Sequence, residues 1–333
     1  MRWADTRRTS TRDGVLEEAF DAAFRALDPG HERRTPEEWE WRTERAPGGA
    51  PFVTLRDDAG AVLAHYGALG QAVRVHGQLL RAGQAVDTFA GAQLAPRARA
   101  AAFQAACEAF MEEHCGVGAG EAVSERFAFC FGFPVRPAWR LGRAGLGYSV
   151  LQEFLQLTRP VREAGTARWD LDLALDAPWP TDLSDHFARE APAVAFDRGP
   201  AFLRWRFEQR PGVAYTRVLL SRGGACAAWA VLRERQEGAT RVGVLVDRFV
   251  PLRDEDAAWA LEAALDECAR ARGWTALALA LGEVDPELAR LQQRGWRPAP
   301  TPYALVGRSF DARAGEDLLA RELRWTLADT DLA

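Results

Sequence analysis

The chain contains an internal repeat, and this repeat limits its possible folds more than any other feature. Three short signatures recur in the same order in the two halves. The matching pairs are 41–48 with 205–212, 86–89 with 246–249, and 127–132 with 277–282. The separation falls from 164 to 160 and then to 150 residues, so the second copy has shorter connections. A period this long excludes a solenoid, and we expect one domain that occurs twice.

Both copies have the same predicted succession of elements. In the first copy the spacing of apolar and turn residues predicts helices over 13–27, 36–44, 96–114 and 137–141 and strands over 51–55, 61–69, 83–90, 126–133 and 148–157. It also predicts a hairpin over 71–80 around His76-Gly77. In the second copy it predicts helices over 183–191, 200–209, 254–272 and 286–294 and strands over 215–220, 226–233, 241–250 and 275–281. A strand meander that leads into one strand–helix–strand crossover predicts an α/β fold of the α+β type with a mixed sheet, not a Rossmann fold. We place the domains at 1–158 and 181–333, with a linker at 159–180.

Composition and charge exclude several classes of function. Hydrophobic residues make up 48% of the chain and charged residues 27%, as in soluble globular proteins. The net charge of −5 argues against a nucleic-acid partner, which requires a basic surface. No apolar run approaches the ~18 residues of a membrane span. The first residues lack the apolar core of a signal peptide, so we expect a cytoplasmic protein without a membrane partner.

The cysteines and the absence of lysine exclude further kinds of site. Five cysteines form no C-x-x-C pair, which is typical of reduced thiols in the cytoplasm. Cys107, Cys115 and His114 could be metal ligands, but buried thiols and a histidine at a helix end explain them more simply, and we expect no metal. The chain has no lysine, which excludes a Schiff-base lysine and a Walker lysine.

The order of the elements resembles the GCN5-related N-acetyltransferase (GNAT) fold, and the first copy resembles one bacterial branch of that family. The residues that carry the resemblance in the first copy are 38–42, Pro47-Gly48, Val86-Asp87-Thr88, the turn at 96–103 and Gly132-Phe133-Pro134. Those in the second copy are 203–207, Pro211, Tyr215, 325–327, Asp329 and Asp331. The resemblance covers nearly the whole chain. It implies two tandem GNAT-like acyl-CoA N-acyltransferase domains.

The resemblance implies an acetyl-CoA site in the first copy. In the family, a turn of the form [Q/R]-x-x-G-x-[G/A] binds the CoA pyrophosphate through backbone N–H groups at a helix start. The matching residues here are Arg97, Arg99, Ala100, Ala101 and Ala102. Ala100 replaces the glycine that lets the backbone approach phosphate, so the alternative is an inherited helix start without a ligand. The second copy has three carboxylates at 254–256, which would repel a pyrophosphate and indicate a degenerate domain.

Two catalytic roles, those of a base and an acid, have candidate residues. Asp87 could bind the substrate ammonium or accept its proton, or it could be a structural carboxylate that holds a neighbouring arginine. Tyr66 could protonate the leaving thiolate, a role that such enzymes often give to tyrosine, and Tyr148 is a second candidate. Neighbouring strand residues alternate between faces, so only one of His65 and Tyr66 can point into a groove. For each tyrosine the alternative is an aromatic side chain of the core.

The sequence as a whole predicts an N-acetyltransferase. The amine of a small molecule or peptide would attack acetyl-CoA directly, with catalysis from the approximation of the two reactants and from stabilisation of the oxyanion. The alternative is a non-catalytic GNAT-fold protein that binds a small molecule or a protein partner. A transferase that uses aminoacyl-tRNA shares the tandem architecture, but it would need a basic surface.

Overall fold

The computed structural model describes residues 7–9, 12–116, 125–135, 139, 142–143, 145–163, 169–190 and 192–332. The chain divides into two compact units, and each unit takes in segments that are distant in sequence. The first unit comprises Met1–Val73, Leu79–Val150 and Val306–Glu316. The second comprises Arg74–Gln78, Leu151–Leu305 and Asp317–Ala333.

The first unit begins with two helices and continues into a sheet. Its elements are β1 (Arg7–Thr9), α1 (Gly14–Leu27), α2 (Pro36–Thr43), β2 (Phe52–Arg56), β3 (Val62–Val75), β4 (Gln78–Ala90), α3 (Pro96–His114) and β5 (Phe129–Gly132). Local residues define the helix starts. Asp13 caps α1 by accepting a hydrogen bond from the Leu16 N–H, and Thr35 forms a capping box with Glu38 in front of α2.

The sheet of the first unit follows the order β1-β2-β3-β4-β5. Strands β1 and β3 pair antiparallel with β2, whereas β5 pairs parallel with β4, as expected for strands joined by a helical crossover. The last strand of this sheet comes from the far end of the chain. Residues 306–309 pair antiparallel with 129–132 of β5.

The second unit repeats this succession of elements. It contains β6 (Ser149–Pro160), β7 (Asp172–Leu175), α4 (Leu183–Glu190), β8 (Val194–Phe196), α5 (Pro200–Phe207), β9 (Thr216–Arg222), β10 (Ala225–Glu237), β11 (Thr240–Phe249), α6 (Glu255–Arg272), β12 (Ala276–Gly282), α7 (Leu288–Gln293), β13 (Arg297–Ser309), α8 (Glu316–Glu322) and β14 (Leu323–Arg324). The sheet order is β6-β12-β11-β10-β9-β7, and β11 pairs parallel with β12. Short 3₁₀ turns lie at Ala312–Ala314 and Leu327–Asp329.

The long helix α6 forms the core of the second unit. Its buried residues Leu261, Leu265 and Cys268 lie in one apolar cluster with Leu277 and Trp296. Burial of one leucine side chain contributes about 1.5–3 kcal/mol, so the apolar face of the helix stabilises the unit strongly. The helix ends at Gly273, whose left-handed backbone (φ +69°) provides the cap.

The fold class predicted from the sequence is confirmed, since both units are mixed α/β structures. Helix α3 has the predicted bounds, and the repeat places Trp41 and Trp205 on equivalent short helices, α2 and α5. Asp87 and Asp247 lie on the equivalent strands β4 and β11. The helix predicted over 137–141 falls outside the described residues except for Trp139.

The structure differs from the sequence analysis in how strands are divided and paired. The hairpin predicted around His76-Gly77 is confirmed, since β3 ends at Val75 and β4 begins at Gln78. The strand predicted over 61–69 does not end there, because β3 continues without a break to Val75. The span 159–180, expected to be a linker, contains β7, which pairs with β9. Strand β6, expected to complete the first domain, pairs with β12 in the second unit. The domain boundaries at 158 and 181 stay a prediction about the two copies of the repeat.

Candidate functional site

Strands β4 and β5 of the first unit pair over only a short length. Their register joins Ala82, Gly83 and Gln84 of β4 to residues 129–131 of β5. Strand β4 then continues to Ala90 beyond this register. Beyond this register, the described residues of β5 do not pair with β4, and we call this stretch the open edge of β4. Its backbone N–H and C=O groups can form hydrogen bonds with an extended ligand.

Helix α3 begins soon after the open edge of β4. Pro96 occupies the first helical position, and no side chain caps the helix at Ala95. The Arg99 N–H donates to the Ala95 carbonyl at 2.8 Å, so the helical hydrogen bonds begin there. Proline has no N–H, and the helix therefore leaves only the N–H groups of Arg97 and Ala98 without an intrahelical acceptor. The N–H groups of residues 99–102 lie within the helical hydrogen-bond pattern that the Arg99 N–H begins, so the N–H groups nearest to a phosphate at this helix start would be those of Arg97 and Ala98. The assignment of residues 97–102 to a CoA site stays a prediction.

The side chains of residues 97–102 have different surroundings. Arg97 and Ala100 are exposed, Ala101 is half-buried and Ala102 is fully buried. Ala100 has a helical backbone, so the replacement of glycine causes no strain at this position. The Arg99 guanidinium donates to the carbonyls of Ala92 and Leu94 at 2.8 and 3.1 Å, where it braces the preceding loop. Arg97 is therefore the arginine of this segment that could pair with a phosphate.

Asp87 is a buried carboxylate with two arginine partners. Arg34 donates two hydrogen bonds to it at 2.8 and 2.6 Å, and Arg42 donates a third at 3.0 Å. Burial raises the pKa of Asp87, but the charges of Arg34 and Arg42 outweigh burial and lower the pKa well below its usual range. A carboxylate held in this ionised form is a weak base. These contacts match the alternative in which Asp87 holds neighbouring arginines.

The backbone and surroundings of Asp87 support the same interpretation. Its φ of +57° lies in the left-handed region, a strained conformation that the surrounding contacts must hold. The cavity beside it has a volume of about 20 Å³, which is enough for one water molecule but not for a substrate.

The second unit contains the same ion pair. Arg198 donates to both carboxylate oxygens of Asp247, and it also binds Asp329 at 2.9 Å through each of two nitrogens. Arg34 and Arg198 each lie two residues before the proline that begins a short helix. The sequence analysis missed both arginines, although an Arg-x-Pro signature at the same 164-residue separation marks them.

Tyr66 and Tyr148 are joined in the interior of the first unit. Their hydroxyl oxygens are 2.5 Å apart, and both side chains are buried. The Tyr66 ring packs against Phe110 of α3 at a centroid distance of 5.0 Å. Burial is the main cause that raises the pKa of both phenols well above the usual value. The structure thus brings together the two tyrosines that the sequence analysis singled out, in a site without direct access from solvent.

Tyr66 and Asp87 lie on opposite faces of the sheet. Tyr66 contacts α3, whereas the ring of its neighbour His65 stacks on Phe89 at a centroid distance of 5.6 Å. The charge of Asp87 acts to raise the pKa of His65, which places both on the other face. The Thr54 hydroxyl lies 2.9 Å from His65 Nδ1, and burial lowers the pKa of this histidine to about 4. One active-site groove therefore cannot contain the side chains of both predicted catalytic residues. The acid and base roles of Tyr66 and Asp87 stay predictions.

The thiols and the remaining charged groups provide no further centre in the described part of the chain. All five cysteines are free and buried, and the sulfurs of Cys115 and Cys130 are 3.4 Å apart. Among the described residues, no group of three or more His, Cys, Asp or Glu side chains could hold a metal ion. Within the same residues, no helix has both the length and the apolar character needed to cross a membrane.

The start of α6 in the second unit is unsuited to phosphate. Asp254 caps the helix by accepting from the Ala257 N–H, and Glu255 and Asp256 follow in the first turn. Arg222 donates to both oxygens of Asp254, at 2.6 and 3.1 Å. Three carboxylates occupy the helix start, as the sequence analysis noted. The start of α3 has no acidic residue in its first turn and is the better suited of the two helix starts to an anionic group.

Solved structures of acyltransferases share the fold of this chain. A protein of Enterococcus faecalis described as a "Probable N-Acyltransferase" is 13% identical, with a TM-score of 0.68 over 94% of this chain and 74% of that one. A GCN5-related N-acetyltransferase of Anabaena variabilis is 11% identical, with a TM-score of 0.66 over 93% of this chain and 74% of that one. A tandem GNAT protein of the clavulanic acid biosynthesis pathway is 12% identical, with a TM-score of 0.56 over 92% of this chain and 98% of that one.

Neither the protein-family models nor the curated proteins give a significant match. Identities of 11–13% show the fold alone. The same conclusion follows from the repeated elements, from the short pairing of β4 with β5 and from these three similarities. The chain has the GCN5-related N-acetyltransferase fold in tandem.

Proposed function

We propose that this protein is an N-acyltransferase that uses acetyl-CoA as donor and the amine of a small molecule or peptide as acceptor. The first unit would carry the donor site, and the second would be degenerate. The observation that carries the proposal is the early end of β4–β5 pairing, followed at once by the uncapped start of α3. The similarity in fold to proteins described as N-acyltransferases supports the same class of reaction.

The described residues fit an extended donor with a phosphate group. The open edge of β4 would bind the pantetheine amides through backbone hydrogen bonds, as a neighbouring strand does. The N–H groups of Arg97 and Ala98 and the positive end of the α3 dipole would bind the pyrophosphate. The exposed Arg97 guanidinium would add a charge-assisted hydrogen bond. These groups are available because the helix does not use them.

Acetyl-CoA supplies an activated thioester, so the protein needs mainly to align it with the amine. Alignment of two reactants can lower a barrier by about 7–11 kcal/mol without a covalent enzyme intermediate. The backbone N–H groups along the open edge of β4 are suited to stabilise negative charge that develops on the carbonyl oxygen. The acceptor must reach the donor as a neutral amine. Its nitrogen bonds to the acetyl carbon, the C–S bond breaks, and CoA leaves as a thiolate. The proton lost by the nitrogen goes to solvent, to a side chain or to that thiolate.

Acetyl-CoA binding to matched variants tests the donor site. Binding at one hundred times Kd should stabilise the wild-type protein by about 2.7 kcal/mol. Ala100→Glu adds a carboxylate at an exposed position one turn after the start of α3 and should weaken the affinity at least tenfold. Ala263→Glu makes the same change at an exposed position in the middle of α6, and it should leave the affinity unchanged.

A second test removes the one arginine positioned for phosphate. Arg97→Ala should weaken acetyl-CoA binding about tenfold, a loss of about 1.4 kcal/mol. Arg253→Ala removes an exposed arginine before α6 and is the matched control. The proposal fails if the wild-type protein does not bind acetyl-CoA, or if each variant and its control behave alike.

One observation favours a non-catalytic function instead. Tyr66 and Asp87 lie on opposite faces of the sheet, and each is engaged with its own partners. A protein that binds acetyl-CoA but transfers no acetyl group to a panel of primary amines would fit this second function.

A further inference from the structure

The second unit contains a cavity of about 280 Å³. It lies where β11 and β12 part, because their pairing ends at Val244 and Ala278 and both residues line the cavity. Its volume is close to the lower limit of about 300 Å³ for small-molecule pockets. A ligand of modest size can therefore be enclosed at this point of the sheet.

Two arginines of β10 line the cavity. Arg233 lies opposite Val244 in the register of β10 and β11, so its side chain lies on the same face of the sheet as Val244. Arg235 is two residues further along the strand and shares that face, about 6–7 Å away. Among the described lining residues these two carry the only charges, and none is acidic.

The protein provides hydrogen-bond acceptors for only some of the N–H groups of the two guanidiniums. The Nε atoms of both arginines are buried without a hydrogen-bond partner. Arg233 donates weakly from Nη2 to the Leu332 carbonyl at 3.4 Å, and Arg235 binds the exposed Glu237. A buried N–H without an acceptor is unfavourable, and an anion in the cavity would supply that acceptor.

The electrostatic surroundings of Arg233 also favour an anion. Burial is the main cause that lowers the pKa of Arg233; Tyr215 raises this pKa, and the cations Arg210 and Arg235 lower it. The guanidinium is nevertheless charged at any physiological pH. Two like charges are thus held close together at a partly buried position, an arrangement that a negative ligand would stabilise.

The rest of the cavity is largely apolar. Phe154, Ala280 and Leu327 line it together with Val244 and Ala278, and Gln156 and Tyr303 add polar groups. A phosphate group requires several donors around its oxygens, whereas a carboxylate is satisfied by one or two guanidiniums. The combination of two cations with an apolar wall matches a carboxylate attached to a hydrocarbon body.

We propose that this cavity binds a small organic carboxylic acid. Arg233 and Arg235 would hold the carboxylate, and the wall formed by Val244 and Ala278 would contact the hydrocarbon part. This site lies in the second unit and does not depend on the donor site proposed for the first. It gives the second unit a ligand-binding function, although the start of α6 is unsuited to CoA.

Hexanoate and hexanamide form a matched pair of probes for this proposal. They differ in charge but little in shape, and binding can be followed by saturation-transfer NMR and by thermal shift. We expect saturable binding of hexanoate and at least tenfold weaker binding of hexanamide. Equal binding of the two, or no binding of hexanoate, would overturn the proposal. Inorganic phosphate that binds more tightly than hexanoate would overturn the choice of a carboxylate.

Variants locate the site. Arg233→Met retains the length of the side chain and removes its charge, and it should weaken hexanoate binding at least tenfold. Arg253→Met removes an exposed arginine of the same unit and should change the affinity by less than twofold. The acetyl-CoA affinity of both variants should equal that of the wild-type protein, which separates this site from the donor site. Wild-type hexanoate affinity in a folded Arg233→Met protein would show that the cavity is not the site.

Discussion

Arg34 binds the Asp87 carboxylate through both terminal nitrogens, so this ion pair holds the segment before α2 against the second half of β4. Asp87→Asn removes the negative charge and leaves the guanidiniums of Arg34 and Arg42 without their ionic partner. Removing one member of a buried ion pair typically costs about 3–5 kcal/mol. We therefore expect the free energy of unfolding to fall by about 3 kcal/mol, measured by urea denaturation. Asp58→Asn in the exposed β2–β3 turn should change it by less than about 0.5 kcal/mol.

His65 should make the first unit sensitive to mild acid. Its pKa is lowered to about 4 by burial, whereas that of the unfolded chain is near 6.5. Between these values the unfolded chain binds more protons than the folded protein. The contribution of His65 to the free energy of unfolding is therefore at its full value above about pH 6.5 and decreases as the pH falls toward 4. At pH 5 the loss should be about 2 kcal/mol. Urea titrations of the wild-type protein and His65→Gln at pH 5 and 7.5 measure it, and an equal loss in both would contradict the assignment.

Tyr66→Phe tests whether the buried phenol is an acid or a structural group. The substitution leaves the Tyr148 hydroxyl without its partner, and we expect a loss of about 1–2 kcal/mol in the free energy of unfolding. Since the site is closed, kcat for acetyl transfer should fall less than tenfold. General acids contribute about 10²–10⁴ to a rate, so a hundredfold fall in kcat at unchanged KM would assign the proton transfer to Tyr66.

Ala100→Gly should not improve acetyl-CoA binding. The helical backbone at position 100 gives alanine no strain that glycine could relieve. Glycine within a helix costs about 0.5–1 kcal/mol relative to alanine, so stability should decrease while the affinity stays the same. Ala263→Gly in α6 should lose a similar amount of stability. Tighter binding by Ala100→Gly alone would show that the Cβ crowds the phosphate.

The sequence predicts the local elements well because their determinants are local. Helix α3 begins at Pro96, and its apolar side shows helical spacing, so both its position and its buried face follow from residues close in sequence. The equivalence of Trp41 with Trp205 follows in the same way from the spacing of the repeat. The mixed sheet could be predicted because a parallel pair of strands requires a crossover.

Relationships over long distances could not be predicted. Tyr66 and Tyr148 are 82 residues apart, and only the packing of α3 against the sheet brings their hydroxyls together. The pairing of β6 with β12 follows no local signal, because an apolar strand suits any neighbouring strand. The N–H groups that α3 leaves without an intrahelical acceptor are those of Arg97 and Ala98 and not that of Ala100, because the helical hydrogen bonds already begin with the Arg99 N–H.

Residues 306–309 complete the sheet of the first unit, and this has a consequence for synthesis on the ribosome. Strand β5 emerges early, but its antiparallel partner is translated more than 170 residues later. During that interval a Phe-rich strand has an open edge, the kind of surface that recruits chaperones or aggregates. A gene divided at the predicted linker would encode a first half without this strand. The first unit therefore receives the last strand of its sheet only when almost the whole chain has been synthesised.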